Sequence, residues 1–165
     1  MTSIVVMGVA GCGKSSLGLA IARALDRPFV EGDAFHPPSN VEKMGAGTPL
    51  DDADRWAWLD ALGAELARHA EGVVLTCSAL KHSYRERLRA AAPGLRFVHL
   101  ALTRAEAKRR VALRGGHYFK AGLVDSQFDA LEDPLGEPGV LVLDARQPVD
   151  ELTTRVVDWL DSPMV

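Results

Sequence analysis

Apolar residues along this chain fall into short, dense runs alternating with stretches of helical spacing. Ile4-Val5-Val6-Met7, Phe29-Val30, Val73-Val74-Leu75-Thr76-Cys77, Leu95-Arg96-Phe97-Val98-His99-Leu100 and Val140-Leu141-Val142-Leu143 form the runs. Continuous apolar character without polar alternation suits parallel strands covered on both faces. Between them, Leu17, Ala20, Ile21, Ala24 and Leu25 recur at helical spacing, and so do Trp56, Leu59, Leu62 and Leu66. Later helices are expected from Lys81 to about Ala91 and, behind the capping box Thr103-Arg104-Ala105-Glu106, to about Arg114. Val124, Phe128 and Leu131 mark another helix; Leu152, Val156, Trp159 and Leu160 mark a last one, with Pro148 at its first position.

This alternation predicts a three-layer α/β domain spanning residues 1–165, with a five-stranded parallel sheet flanked by helices. Two stretches interrupt it. Residues 36–50 hold Pro37-Pro38-Ser39-Asn40, the short helical Val41-Glu42-Lys43-Met44 and the glycine-bearing Gly45 to Pro49, a connection long enough to fold over a substrate. Residues 115–123, basic and bracketed by glycines, suit a hinged lid closing over phosphates.

Composition narrows the class. The 165 residues are 47% hydrophobic and 25% charged with a formal net charge of −3, which fits one globular domain and argues against a nucleic-acid partner. Cys12 and Cys77 form neither a disulfide framework nor a zinc site. With no run of membrane-spanning length and no room for a signal peptide before the first strand, the expectation is a cytoplasmic protein without a membrane partner.

The chemistry concentrates in Gly8-Val9-Ala10-Gly11-Cys12-Gly13-Lys14-Ser15, whose spacing G-x-x-x-x-G-K-S lies between the first strand and first helix. Such a loop turns backbone N–H groups toward phosphates and adds the helix dipole. Gly8, Gly11, Cys12, Gly13, Lys14, Ser15 and Ser16 are therefore the candidate nucleotide contacts, with Lys14 reaching the terminal phosphates and the Ser15 hydroxyl on magnesium.

Glu31-Gly32-Asp33 arrives beside this loop at the carboxyl edge of the sheet, where open α/β folds hold ligands. Asp33 is the candidate base for an attacking hydroxyl and Glu31 the metal-side partner; the alternative is that Asp33 caps the following turn. His36 and Lys43 in the insertion are candidate ligands for a polar anion. Lys81 and Arg85 share a helix face at another strand end, suited to a carboxylate or phosphate, or else a solvated face. Asp51, Asp52 and Asp54 read as helix-start acids.

Taken together, the loop Gly8–Ser15, Glu31-Gly32-Asp33-Ala34-Phe35-His36-Pro37, Val41-Glu42-Lys43-Met44, Cys77-Ser78-Ala79-Leu80-Lys81, Tyr84-Arg85, Arg114-Gly115-Gly116-His117-Tyr118-Phe119-Lys120 and Ser126-Gln127-Phe128 resemble the small P-loop gluconokinases, relatives of shikimate and adenylate kinases. The resemblance covers nearly the whole chain. It implies a P-loop NTPase fold, ATP and magnesium as cofactors, transfer of the γ-phosphoryl group to the 6-hydroxyl of D-gluconate, and a homodimer. By that likeness Asp33 deprotonates the sugar hydroxyl, Lys14 and Arg114 stabilise the phosphoryl group in flight, and Arg110 lies over the adenine near the loop before Pro148. The gluconate pocket would comprise Asp33, His36, Lys43, Lys81, Arg85 and Gln127, with His117 and Lys120 on the lid; Ser15, Glu31 and Asp33 would serve magnesium. Glu31 departs from the family, where an aspartate is common. A kinase of another small hydroxy acid such as shikimate, and a nucleotide-dependent switch without an acceptor, are the competing readings.

Overall fold

The computed structural model describes residues 2–113 and 121–162. Five parallel strands, β1 (Ile4–Met7), β2 (Phe29–Glu31), β3 (Val74–Thr76), β4 (Arg96–Ala101) and β5 (Val140–Asp144), pair in the order β2-β3-β1-β4-β5. The helices among the described residues are α1 (Lys14–Leu25), α2 (Pro38–Gly45), α3 (Asp52–Arg68), α4 (His82–Ala91), α5 (Arg104–Leu113), α6 (Ala121–Ala130) and α7 (Val149–Asp161). The expected three-layer architecture and parallel sheet are observed.

The unbroken apolar strands have the physical cause expected of them. Within β1, Ile4 and Val6 enter one core with Leu17, Ile21, Val111, Leu152 and Val156, while Val5 and Met7 enter a second with Trp58, Leu59, Leu62 and Leu88. Both sheet faces are thus sealed, by α1, α5 and α7 on one side and by α3 and α4 on the other. Because β1 lies at the centre, the chain's direction across the sheet reverses there, and the crevice beyond its carboxyl end opens at that switch point.

Two details differ from the sequence reading. Trp58, not Trp56, is the fully buried tryptophan of α3, and Trp56 packs edge-on against Tyr84, 5.5 Å between ring centroids. The acids before α3 do more than suit its dipole: Asp54 N–H donates to Asp51 Oδ1 (2.8 Å) and Asp51 N–H to Asp54 Oδ2 (3.0 Å), a reciprocal capping box. The expected lid lies largely outside the described residues; positions 121–123 belong to α6.

Candidate active site

β1 delivers the chain into the glycine-rich loop, where Gly11 (φ 82°) and Gly13 (φ 97°) take left-handed conformations that other residues adopt only with strain. Gly13 caps α1 without a side-chain hydrogen bond, so the helix-start N–H groups remain for an anion. Lys14 Nζ folds back onto the loop, donating to the carbonyls of Gly8 (3.1 Å) and Val9 (3.2 Å). Ala10, Gly11, Gly13, Lys14, Ser15 and Ser16 line an open cavity of about 190 Å³, while Cys12 is buried beneath it.

The carboxyl end of β2 meets this loop through a contact only glycine permits. A Cβ on Gly32 would lie 1.8 Å from the carbonyl oxygen of Thr76. That closeness lets Gly32 N–H donate to Thr76 Oγ1 (3.1 Å), and Thr76 Oγ1 in turn donates to Glu31 Oε1 (2.6 Å), which also accepts from Ser15 Oγ (2.9 Å). The longer side chain at position 31 is thereby pinned by two hydroxyls. Ser15, Glu31 and the nearby Asp33 present hard oxygen donors of the kind magnesium takes, few enough that phosphate and water must complete its shell.

Across the cavity, Asp33 projects from the single turn Gly32–Phe35 with its side chain 64% exposed. His36 stands behind it, Nε2 3.8 Å from Asp33 Oδ1, stacked on Trp58 with ring centroids 4.0 Å apart. Trp58 is itself fixed, its indole N–H donating to Gly32 O (2.9 Å). Burial pushes the His36 imidazole below its ordinary range, with Asp33 acting to raise it and Arg55 to lower it further. Arg55 also lines the cavity; its Nη1 donates to Tyr84 Oη (3.1 Å), the one hydrogen bond of its guanidinium among the described residues, leaving donors for an incoming acid.

The other sequence candidates are distributed differently. Gln127 lines the cavity, its Oε1 accepting from Ala10 N–H (2.6 Å), so α6 braces the phosphate loop. Arg110 bridges from α5 to the carbonyls of Gly11 (3.2 Å) and Ala145 (3.2 Å), between the loop and the turn after β5. Arg85 departs from expectation: fully buried, its five N–H donors are consumed by Glu137, Glu132 O, Ala79 O and Leu80 O, so it offers no fork to a ligand. Lys43 pairs with Asp54 (2.8 Å) and Lys81 with Asp52 (2.9 Å), and neither lines the cavity; the insertion instead contributes Met44, Thr48, Pro49 and Leu50. Arg114, His117 and Lys120 lie outside the described residues. Burial pushes the Cys77 thiol up to about 12, so it stays protonated in the core.

Sequence reasoning passed over Arg55, Trp58 and Thr76. Arg55 had a legible signal, since it shares the stripe of Leu59 and Leu62, where a cation must be buried and so must meet something polar. Thr76 was the one hydroxyl in an apolar strand.

Comparison with known proteins places this geometry. The family model described as "AAA domain" matches residues 4–138. The chain is 46% identical over 158 residues to a gluconokinase of Gluconobacter oxydans, covering 93% of this chain and 88% of that one. It is 38% identical to the thermoresistant gluconokinase of Escherichia coli, covering 93% and 90%. Among solved structures, a gluconokinase from Sinorhizobium meliloti superposes with a TM-score of 0.87 at 48% identity, covering 96% of this chain and 95% of that one. Phosphate loop, carboxylates and acceptor cavity thus sit on a scaffold shared along nearly its whole length with those enzymes, and the chain belongs to the gluconokinase family of P-loop kinases.

Proposed function

We propose that the protein transfers the γ-phosphoryl group of ATP to the 6-hydroxyl of D-gluconate, giving 6-phospho-D-gluconate and ADP. One observation carries this reading: a single cavity is lined both by the phosphate loop and by the carboxylate Asp33 and the buried Arg55. Gluconate is an open-chain polyol with a carboxylate at one end and a primary hydroxyl at the other. Arg55 takes the carboxylate, which leaves the far hydroxyl to reach Asp33. Asp33 accepts the hydroxyl proton as the oxygen bonds to γ-phosphorus; the bond to the bridging oxygen breaks, and ADP leaves with that electron pair.

Lys14 moves from the Gly8 and Val9 carbonyls onto the β- and γ-phosphates, and the loop N–H groups and the α1 N-terminus hold the same anions. Ser15, Glu31 and Asp33 would hold magnesium, with Thr76 fixing Glu31, and the ion would supply neutralisation of the phosphate charge. Arg110, held between the phosphate loop and the turn after β5, would lie over the adenine, and Gln127 keeps the loop in place while offering its amide to the polyol. By the family resemblance Arg114, His117 and Lys120 would supply further positive charge for the phosphates. The enzyme works as a cytoplasmic homodimer, which sedimentation velocity would check for the assembly.

The test is ³¹P and ¹³C NMR of a reaction containing gluconate and magnesium-ATP. A phosphomonoester coupled to C6 supports the assignment; phosphate on another carbon, or ATP hydrolysis without a phosphorylated sugar acid, contradicts it.

A further inference from the structure

A buried amide that takes no part in the mechanism above stands behind His36. Asn40, at the start of α2, is 1% exposed. Its Nδ2 lies 2.8 Å from the backbone carbonyl of Asp54 and 3.2 Å from His36 Nδ1. A backbone carbonyl can only accept, so the amide nitrogen, and not its oxygen, must face Asp54. The second hydrogen of that nitrogen then points at His36 Nδ1, which must accept it.

We propose that Asn40 is a positioning residue: by donating to Nδ1 it places the His36 ring proton on Nε2, directed at Asp33 and the reacting hydroxyl. The rest of the surroundings support that assignment. Stacking on Trp58 at 16° fixes the ring plane, and the Trp58 indole N–H is anchored on Gly32 O, which holds the stacking partner in place. The 3.8 Å between Nε2 and Asp33 Oδ1 is longer than a hydrogen bond, and a small inward rotation of the exposed Asp33 side chain would close it. A neutral donor suits this place: it orients the carboxylate and the attacking oxygen without the positive charge that would weaken Asp33 as a base.

This inference rests on the Asp33 assignment for its catalytic consequence and is independent of it for the tautomer. The first measurement is the ¹⁵N spectrum of His36 in the unmodified protein, assigned by its loss in His36→Gln. A protonated Nε2 with an unprotonated Nδ1 is expected; the opposite tautomer, or an imidazolium at neutral pH, overturns the proposal.

The second measurement is kinetic. Asn40→Asp replaces the donor with an acceptor, so His36 must place a proton on Nδ1. The expected result is that shift in the ¹⁵N spectrum together with a fall in kcat of roughly tenfold or more, with KM for ATP within about twofold. His36→Gln, whose amide can donate from near the Nε2 position, should lose less of kcat than His36→Asn, which cannot reach. Equal losses in the two, or an unchanged kcat in a folded Asn40→Asp with the switched tautomer, would contradict the role. Absence of gluconate phosphorylation in the unmodified protein would instead defeat the reaction assignment and leave the tautomer standing.

Discussion

Arg55 and Arg85 make opposite predictions, although both are arginines buried at the carboxyl side of the sheet. Arg55→Met keeps most of the side-chain volume and removes the guanidinium. In the structure that guanidinium gives up one hydrogen bond, to Tyr84 Oη, whose hydroxyl still has Asp52 as a partner. The fold should therefore lose about 1 kcal/mol or less. A charge-assisted bond to a ligand carboxylate contributes about 1.5–3 kcal/mol, so KM for gluconate should rise roughly 10- to 150-fold with KM for ATP unchanged. Arg85→Met behaves in the reverse way. Removing it leaves Glu137, 13% exposed, with Arg89 as its one remaining arginine partner, and takes the side-chain donor from the carbonyls of Ala79 and Glu132. Loss of one partner of such a buried pair costs about 3–5 kcal/mol, read as a lowered denaturation midpoint, while the folded fraction keeps its KM for gluconate. The assays are urea denaturation and steady-state kinetics on both variants. An Arg55→Met enzyme with normal KM for gluconate, or an Arg85→Met enzyme of normal stability and raised KM, would refute the assignment of binding to one and structure to the other.

Three further outcomes follow from the same geometry. Asp33→Asn should depress kcat far more than ATP affinity, measured by turnover and nucleotide titration; equal losses would contradict its role as the base. Gly32→Ala should cost about 3 kcal/mol or more, because its Cβ would overlap the Thr76 carbonyl, and a near-normal melting temperature would contradict that packing. Burial raises the Glu137 carboxyl, but hydrogen bonds and charge from Arg85 and Arg89 outweigh it and bring it to about 2. A carboxylate depressed in the folded state stabilises above its ordinary range, and that contribution is lost as pH falls from about 4.5 through about 2. Glu137→Gln should therefore flatten the acid limb of stability over that window, as read by thermal melts across pH; an unchanged limb would contradict the pairing.

Periodicity made the scaffold legible. β1 and the helix stripes could be read because both cores take alternate residues of the same strand, so apolar runs and helix faces follow directly from position. The phosphate loop was legible because its glycines answer a backbone requirement that spacing alone expresses. The acceptor side was not. Lys43, Lys81 and Arg85 lie on plausible faces, yet their partners Asp54, Asp52 and Glu137 are 11, 29 and 52 residues away. Which cation is neutralised and which is left for a ligand depends on those tertiary pairings. Arg55 shows the converse: a cation in the middle of an apolar stripe, with its local acids turned to Lys43, Lys81 and a helix cap. Thr76 matters through its approach to Gly32 across two strands, 44 residues apart, which no local pattern conveys.

The central claim is that one cavity joins the phosphate loop to a site for a linear sugar acid. Coupled measurement of ADP release with magnesium-ATP and gluconate, shikimate, glycerate or a nucleoside monophosphate tests it most directly. The account predicts that kcat/KM for gluconate exceeds each of the others by roughly a hundredfold or more, since Arg55 takes the acid's carboxylate while Asp33, lining the same cavity, takes the terminal hydroxyl of a flexible chain. Comparable kcat/KM for shikimate or a nucleoside monophosphate, or ADP release indifferent to every acceptor, would contradict it.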